Sequence, residues 1–173
     1  MLSGDGGSEA DSVSIYKAAK GTPTIVTDSA IYDFGYCGYD NHSNLFVDGL
    51  NGNKVVVAEL PSGKSQFTNL QVSGAKLLGA GGVRWAGKYL AVGDSGPTVY
   101  QFSISSGKAT KEGSTTLSGG YNVGDFWISG DNIIGPDGGS GNVGVWKYPA
   151  GGGPIKSLSG FTDPVGATVS AGK

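Results

Sequence analysis

Several aromatic and polar residues of the sequence have side chains that could bind a small ligand. Trp and Tyr rings stack on flat apolar surfaces, while Arg and Asp donate or accept hydrogen bonds beside them. Aromatic residues that alternate along strands also fill the space between sheets, so packing is the alternative role. The six candidate binding residues are Tyr36, Tyr39, Arg84, Trp85, Asp125 and Trp127.

The residue types that usually carry catalysis or hold metals are scarce in this chain. His42 is the only histidine and stands in the polar run 40–44, which predicts a turn residue. Cys37 is the only cysteine and is predicted to be a core residue of a strand. The chain has neither a Gly-x-Ser-x-Gly motif nor an Asp-x-Asp-x-Asp-Gly calcium loop. The sequence therefore predicts no catalytic residue, no metal site and no cofactor.

An aspartate follows an apolar strand at four corresponding places in the sequence. A ring of carboxylates could hold cations, but Asp in a turn more often accepts hydrogen bonds from backbone N–H groups. We predict this structural turn role for Asp5, Asp48, Asp94 and Asp137.

Composition excludes some classes of partner. The net charge is −2 and Arg84 is the single arginine, so no basic face for nucleic acid is expected. No apolar run is long enough to span a membrane, and the first residues lack the pattern of a signal peptide. We expect a soluble chain. The cellular compartment stays open, and a secreted parent protein is compatible with the sequence.

Four related segments recur along the chain and indicate a repeat protein. Short β-rich runs begin at Val13, Val55, Val99 and Val143, which are 42, 44 and 44 residues apart. This spacing is typical of four-stranded propeller blades. A turn glycine follows each run, then a polar strand suited to an outer edge, then a strand rich in small and aromatic residues suited to the inner position. The turn glycines are Gly21, Gly63, Gly107 and Gly152.

These patterns predict an all-β fold, a β-propeller built of four-stranded antiparallel blades. One domain is expected to cover residues 1–173, with blades at about 29–70, 71–117 and 118–158. The remaining blade is split between the chain ends, residues 159–173 plus 1–28.

The second and third strands, Ser43–Asp48 and Lys54–Val57, resemble those of NHL repeats. The stretch from Tyr148 to Gly166 is similar to NHL-like bacterial proteins. The resemblance implies a propeller scaffold of six to eight blades. Some related propeller hydrolases, the lactonases, use calcium held by acidic and amide residues. Here none of Glu9, Glu59 and Glu112 lies on a predicted inner strand, so that ligand set is not carried over.

The split blade leaves two possible rings. Strand Pro164–Ala171 is expected to pair with the strand containing Leu2, either in its own chain or in another. We favour a homodimer with eight blades, because eight sheets need to turn only about 45° from one to the next, which suits small inner residues. A closed four-bladed monomer and a piece of a larger protein are the alternatives. The predicted function is a non-enzymatic binding scaffold that self-assembles. The competing function is that of a calcium-dependent, lactonase-like hydrolase.

Overall fold

Short antiparallel strands, arranged as four successive sheets, make up the regular structure of the chain. The computed structural model describes residues 2–3 and 11–170. In that part no helix is long and apolar enough to cross a membrane. The first sheet contains β1 (Leu2–Ser3), β2 (Ser12–Lys17) and β3 (Lys20–Val26). The second contains β4 (Asp33–Tyr39), β5 (Leu45–Asn51), β6 (Lys54–Leu60) and β7 (Thr68–Asn69).

The third and fourth sheets repeat this arrangement. The third contains β8 (Gln71–Ser73), β9 (Val83–Ala86), β10 (Tyr89–Gly93), β11 (Thr98–Ser105) and β12 (Lys108–Thr116). The fourth contains β13 (Trp127–Ser129), β14 (Asn132–Asp137), β15 (Asn142–Lys147) and β16 (Lys156–Leu158). Apart from β8, consecutive strands of each sheet pair as antiparallel meanders, which confirms the predicted all-β, propeller-like fold class.

The third sheet has a fifth strand that the sequence did not predict. Strand β8 pairs in parallel with β12, with Gln71 opposite Lys108, and the N–H of Gln71 donates to the carbonyl of Gly107. The chain leaving β7 thus covers the outer edge of the next sheet, which protects that edge from other strands.

The hairpin glycines adopt the backbone conformation that their place in the repeat requires. Gly21, Gly63, Gly107 and Gly152 have φ values of 77°, 75°, 74° and 95°. Residues with a Cβ rarely adopt this conformation, so one glycine per repeat marks the same tight turn.

Within the described residues, three hydrophobic cores lie between neighbouring sheets. The first joins Val13 and Val26 of the first sheet to Val47 and Ala58 of the second. The second core lies between the second and third sheets, and the third core between the third and fourth. None of the three combines residues of the first and fourth sheets.

The first and fourth sheets, at the two ends of the series, each have an exposed face. The corresponding faces of the inner sheets are buried. In the third sheet Val99 and its cross-strand neighbour Thr115 are buried, whereas the equivalent pair in the fourth sheet, Val143 and Leu158, is accessible, with Leu158 47% exposed. At the other end Tyr16 is 43% exposed, although its counterpart in the fourth sheet, Trp146, is 2% exposed.

The segment after β16 forms no strand in residues 159–170. The N–H of Phe161 donates to the carbonyl of Gly141, and Val165 is 79% exposed. The strand predicted over Pro164–Ala171 is therefore not formed in residues 164–170 of this chain. Ala171 lies outside the described residues. A strand needs a hydrogen-bonded neighbour, and β1 pairs with β2. The pairing of this segment with β1 of another chain stays a prediction.

Candidate functional site

Three inner strands, β4, β9 and β13, bring four of the six candidate residues together. Tyr39, Arg84, Trp85 and Trp127 line one cavity of about 500 Å³ along these strands. Cys37, Gly38 and Ile128 complete its lining. The cavity mixes aromatic surface with one charged group, as small-molecule sites commonly do.

Arg84 is the polar centre of this cavity, and its guanidinium is held by neighbouring sheets. Its Nη1 donates to the carbonyl oxygens of Cys37 at 2.9 Å and Val83 at 2.8 Å. Its Nη2 donates to the carboxylate of Asp125 at 3.1 Å, in a partly buried ion pair. The guanidinium also lies over the Trp127 ring, 5.3 Å from the ring centroid. These contacts fix the side chain and neutralise its charge.

The aromatic walls of the cavity differ in how much of each ring is available. Trp85 stacks on Phe46 with 5.8 Å between centroids and 15° between ring planes, so one of its faces is covered. Tyr39 is 54% exposed, and Trp127 is also exposed. Tyr39 and Trp127 therefore offer the accessible aromatic surface.

Tyr36 and Asp125 do not line this cavity. Tyr36 lines a smaller cavity of about 120 Å³ with Asn122, Gly124 and the C-terminal residues 163–165. Burial, followed by the charges of Asp125 and Asp48, raises the pKa of the Tyr36 hydroxyl. Asp125 reaches the larger site only through its ion pair with Arg84. The six candidate residues therefore do not form one site, because side chains of the inner strands point to different faces or lie at different ends of a strand.

Cys37 and Gly38 are cavity residues that were absent from the predicted binding set. Cys37 packs against the first core, and burial raises the pKa of its thiol, which disfavours the reactive thiolate. A Cβ at Gly38 would meet the backbone carbonyl of Val83, so β4 and β9 approach more closely here than side chains would allow. The glycine itself was the only signal in the sequence for this close approach.

Asp94 and Asp137, two of the four repeated aspartates, accept hydrogen bonds from backbone N–H groups. Asp94 Oδ1 accepts from the N–H groups of Leu78, Gly79 and Ser95 at 2.7 to 3.0 Å. Asp137 accepts from Tyr121 and Asn122, at 3.1 and 2.9 Å. In both sheets the carboxylate holds the loop that leads into the inner strand. Asp5 lies outside the described residues.

Asp48 joins two sheets rather than one. Its Oδ1 accepts from the N–H of Tyr36 at 2.9 Å, and its Oδ2 accepts from the N–H of Gly81 at 2.7 Å. The side chain is completely buried, and this burial raises its pKa to about 7 despite the two donors.

His42 lies away from the cavity, in the turn between β4 and β5. Its N–H donates to Asp40 Oδ1 at 2.8 Å, and its side chain is 83% exposed. No group of three or more potential metal ligands occurs among the described residues. The cavity thus contains aromatic and hydrogen-bonding groups suited to holding a ligand, with Cys37 as its one thiol.

Comparisons with known proteins give the fold. No protein-family model matches the chain, and no curated protein is found to be similar to it. Among solved structures, the nidogen/laminin complex has a TM-score of 0.68 at 13% identity, over 88% of this chain and 56% of that one. BamB from Moraxella catarrhalis has a TM-score of 0.53 at 10% identity, covering 92% and 47%.

Glutaminyl cyclase from Myxococcus xanthus has a TM-score of 0.59 at 12% identity, covering 85% of this chain and 61% of that one. The nidogen/laminin and BamB structures contain β-propellers, and the chain has the same kind of fold. It spans about half to three fifths of the length of these three proteins.

Proposed function

We propose that this protein is a non-enzymatic binding module of NHL-like propeller type that completes its ring with a second copy of itself. The cavity lined by Tyr39, Arg84, Trp85 and Trp127 receives the ligand. The observation that carries the proposal is the pair of exposed faces at the two ends of the series of sheets.

The exposed face of the fourth sheet carries four apolar side chains, beside Lys156, which lies opposite Val145. Ile134 pairs with Val145 and Val143 pairs with Leu158, so these four side chains lie on one face. In the first sheet Ile25 pairs with Ser14, on the face opposite to that of Val13 and Val26, and both Ile25 and Tyr16 are exposed. Apolar faces of this kind are buried between sheets elsewhere in the chain, and burying them is favourable by about 25 cal/mol per Å².

Among the residues that the structure describes, the first sheet has no counterpart of the inner strand found in the other three sheets. Its order is β1-β2-β3, whereas β4, β9 and β13 precede the corresponding strands of their own sheets. In the sequence, residues 164–170 come after the fourth sheet, as β4, β9 and β13 come after the first, second and third sheets. In the proposed assembly, this segment of one copy becomes the inner strand beside β1 of the other.

Two copies provide two such seams and eight sheets. The second seam repeats the first through a twofold axis, so that no end sheet of either copy keeps an uncovered face. Within one chain, the described segment 164–170 and β1 are not paired with each other. This favours the two-copy ring over the four-bladed monomer considered from the sequence.

The experiment is a measurement of solution mass by light scattering over a hundredfold range of concentration. We expect twice the chain mass of 17.4 kDa, with a melting temperature that rises with protein concentration because folding and association are coupled. A mass of one chain at every concentration, with a constant melting temperature, would contradict the proposed ring.

A further inference from the structure

We propose that the cavity lined by Tyr39, Arg84, Trp85 and Trp127 binds an uncharged pyranose ring of a saccharide. This inference rests on the proposed function as a binding module and adds the chemical class of its ligand. It depends on the charge, the aromatic surface and the free hydrogen-bond donors of the cavity.

The charge of the site disfavours ions. The Nη2 atom of Arg84 is paired with Asp125. Its Nη1 atom donates to the carbonyl oxygens of Cys37 and Val83. A carboxylate or phosphate would have to displace these partners to gain the paired hydrogen bonds that anions form with Arg. A cation would find Trp127 already in contact with the guanidinium. An uncharged ligand keeps all of these contacts.

The aromatic surface suits a flat ring with an apolar side. Tyr39, which is 54% exposed, lies on one side of the cavity. Trp127, which is also exposed, lies on the opposite side of the cavity. The C–H groups of a pyranose form such a face, and an aromatic ring covers it without needing charge. The cavity, at about 500 Å³, lies within the size range of small-molecule sites, roughly 300 to 1,000 Å³.

The cavity also has donors with no partner in the protein. Within the described part of the chain, the indole N–H groups of Trp85 and Trp127 donate no hydrogen bond, unlike that of Trp146, which donates to the carbonyl of Ser118. Hydroxyl oxygens of a sugar can accept from these indoles, and sugar hydroxyls can also donate to the oxygen of Tyr39. Stacking and hydrogen bonding can therefore act on the same ring.

The three tryptophans make a test that reports the site directly. We would label the protein with ¹⁵N and follow the three indole N–H signals by NMR in samples of known mass. The probes are the methyl β-glycosides of glucose, galactose and N-acetylglucosamine, and cellobiose. We expect the signals of Trp85 and Trp127 to shift with at least one of them while the buried Trp146 signal stays in place. Sodium acetate, inorganic phosphate and tetramethylammonium chloride are expected to leave all three signals unchanged.

A matched pair of tyrosine variants separates stacking from general effects. Tyr39→Ala should weaken binding of the responsive sugar by about tenfold or more, since it removes a stacking surface. Tyr32→Ala removes a side chain of the same exposure, 55%, that does not line the cavity, and should bind as the parent does. Both variants should melt at the parent temperature, because both side chains are largely exposed.

Two results would overturn the inference. One is the absence of any indole shift up to about 50 mM of every sugar probe, a concentration that reveals even very weak binding. The other is equal binding by Tyr39→Ala and the parent. If the samples have the mass of two chains, either result contradicts the saccharide site alone and leaves the two-chain ring standing. A one-chain mass with a clear sugar response would instead contradict the assembly while supporting the ligand.

Discussion

The close approach of β4 and β9 at Gly38 gives the sharpest prediction for a single residue. A Cβ at this position meets the carbonyl group of Val83, and backbone atoms cannot move aside as a flexible side chain can. We expect Gly38→Ala to lower the free energy of unfolding by about 2 to 3 kcal/mol. Chemical denaturation measures the change.

Gly96→Ala is the matched control, since a Cβ there meets no atom within 4 Å and the backbone is not in the left-handed region. It should leave stability within about 0.5 kcal/mol of the parent. Equal stability of the two variants would show that β4 and β9 are farther apart than described.

Asp48 makes stability depend on pH in a defined direction. Its pKa rises from 3.8 to about 7 in the folded state because its carboxylate is buried, with the charge of Asp125 adding to the shift. The folded protein therefore holds this proton more firmly than the unfolded chain does. The contribution of Asp48 to stability is greatest below pH 4 and declines as the pH rises to 7, by at most about 1.4 kcal/mol per pH unit.

Denaturation curves at several pH values, compared with those of Asp48→Asn, measure this contribution. The variant should lose this part of the pH dependence and should be less stable at low pH, because its NH₂ group would face an N–H of Tyr36 or Gly81. Identical slopes in the parent and Asp48→Asn would rule out Asp48 as the titrating group.

At the scale of residues, the sequence was informative about residue types and less so about positions. Tyr39, Arg84, Trp85 and Trp127 do meet in one cavity, because corresponding places in successive repeats lie side by side. Tyr36 could not be separated from them, since the repeat does not reveal how a bulge in β4 turns its side chains. Asp125 lies just before β13 and reaches the site only through its ion pair with Arg84.

The exposed faces of the first and fourth sheets give a prediction at the scale of elements. Tyr16→Lys and Leu158→Lys each place a charge on a face that the proposed ring buries. We expect either variant to give the mass of one chain while keeping the β-sheet circular dichroism spectrum. Tyr121→Lys, at a side chain that is 82% exposed, should keep the mass of two chains.

Mixing the two lysine variants distinguishes a specific seam from a general loss of solubility. One seam of the mixed pair joins two unmodified faces, so a two-chain species should reappear in an equimolar mixture. Two-chain masses for both single variants would place the interface elsewhere on the chain.

At this scale the four-stranded meander was predicted correctly because hairpin glycines and alternating strands are local signals. Strand β8 was not, since Gln71–Ser73 is too short to show a pattern and forms only because the start of β12 offers it an edge. The strand expected over Pro164–Ala171 likewise depends on a neighbour that lies beyond the local sequence.

A tandem fusion tests the whole molecule. Two copies joined by a short Gly/Ser linker should form one ring with the mass of a single fused chain. Its melting temperature should no longer depend on concentration, because the second seam becomes intramolecular. A fusion that forms larger species in proportion to its concentration would show that the two halves do not close on each other.

The order of the three cores along the chain bears on how the protein folds during synthesis. Each core joins sheets that are neighbours in sequence, so a sheet can pack as soon as the following one has left the ribosome. Contacts of this kind favour rapid, stepwise folding over a search for distant strands. In the proposed ring, only the last step requires an encounter between two nascent or finished chains, and its rate should therefore follow the local concentration of the protein in the cell.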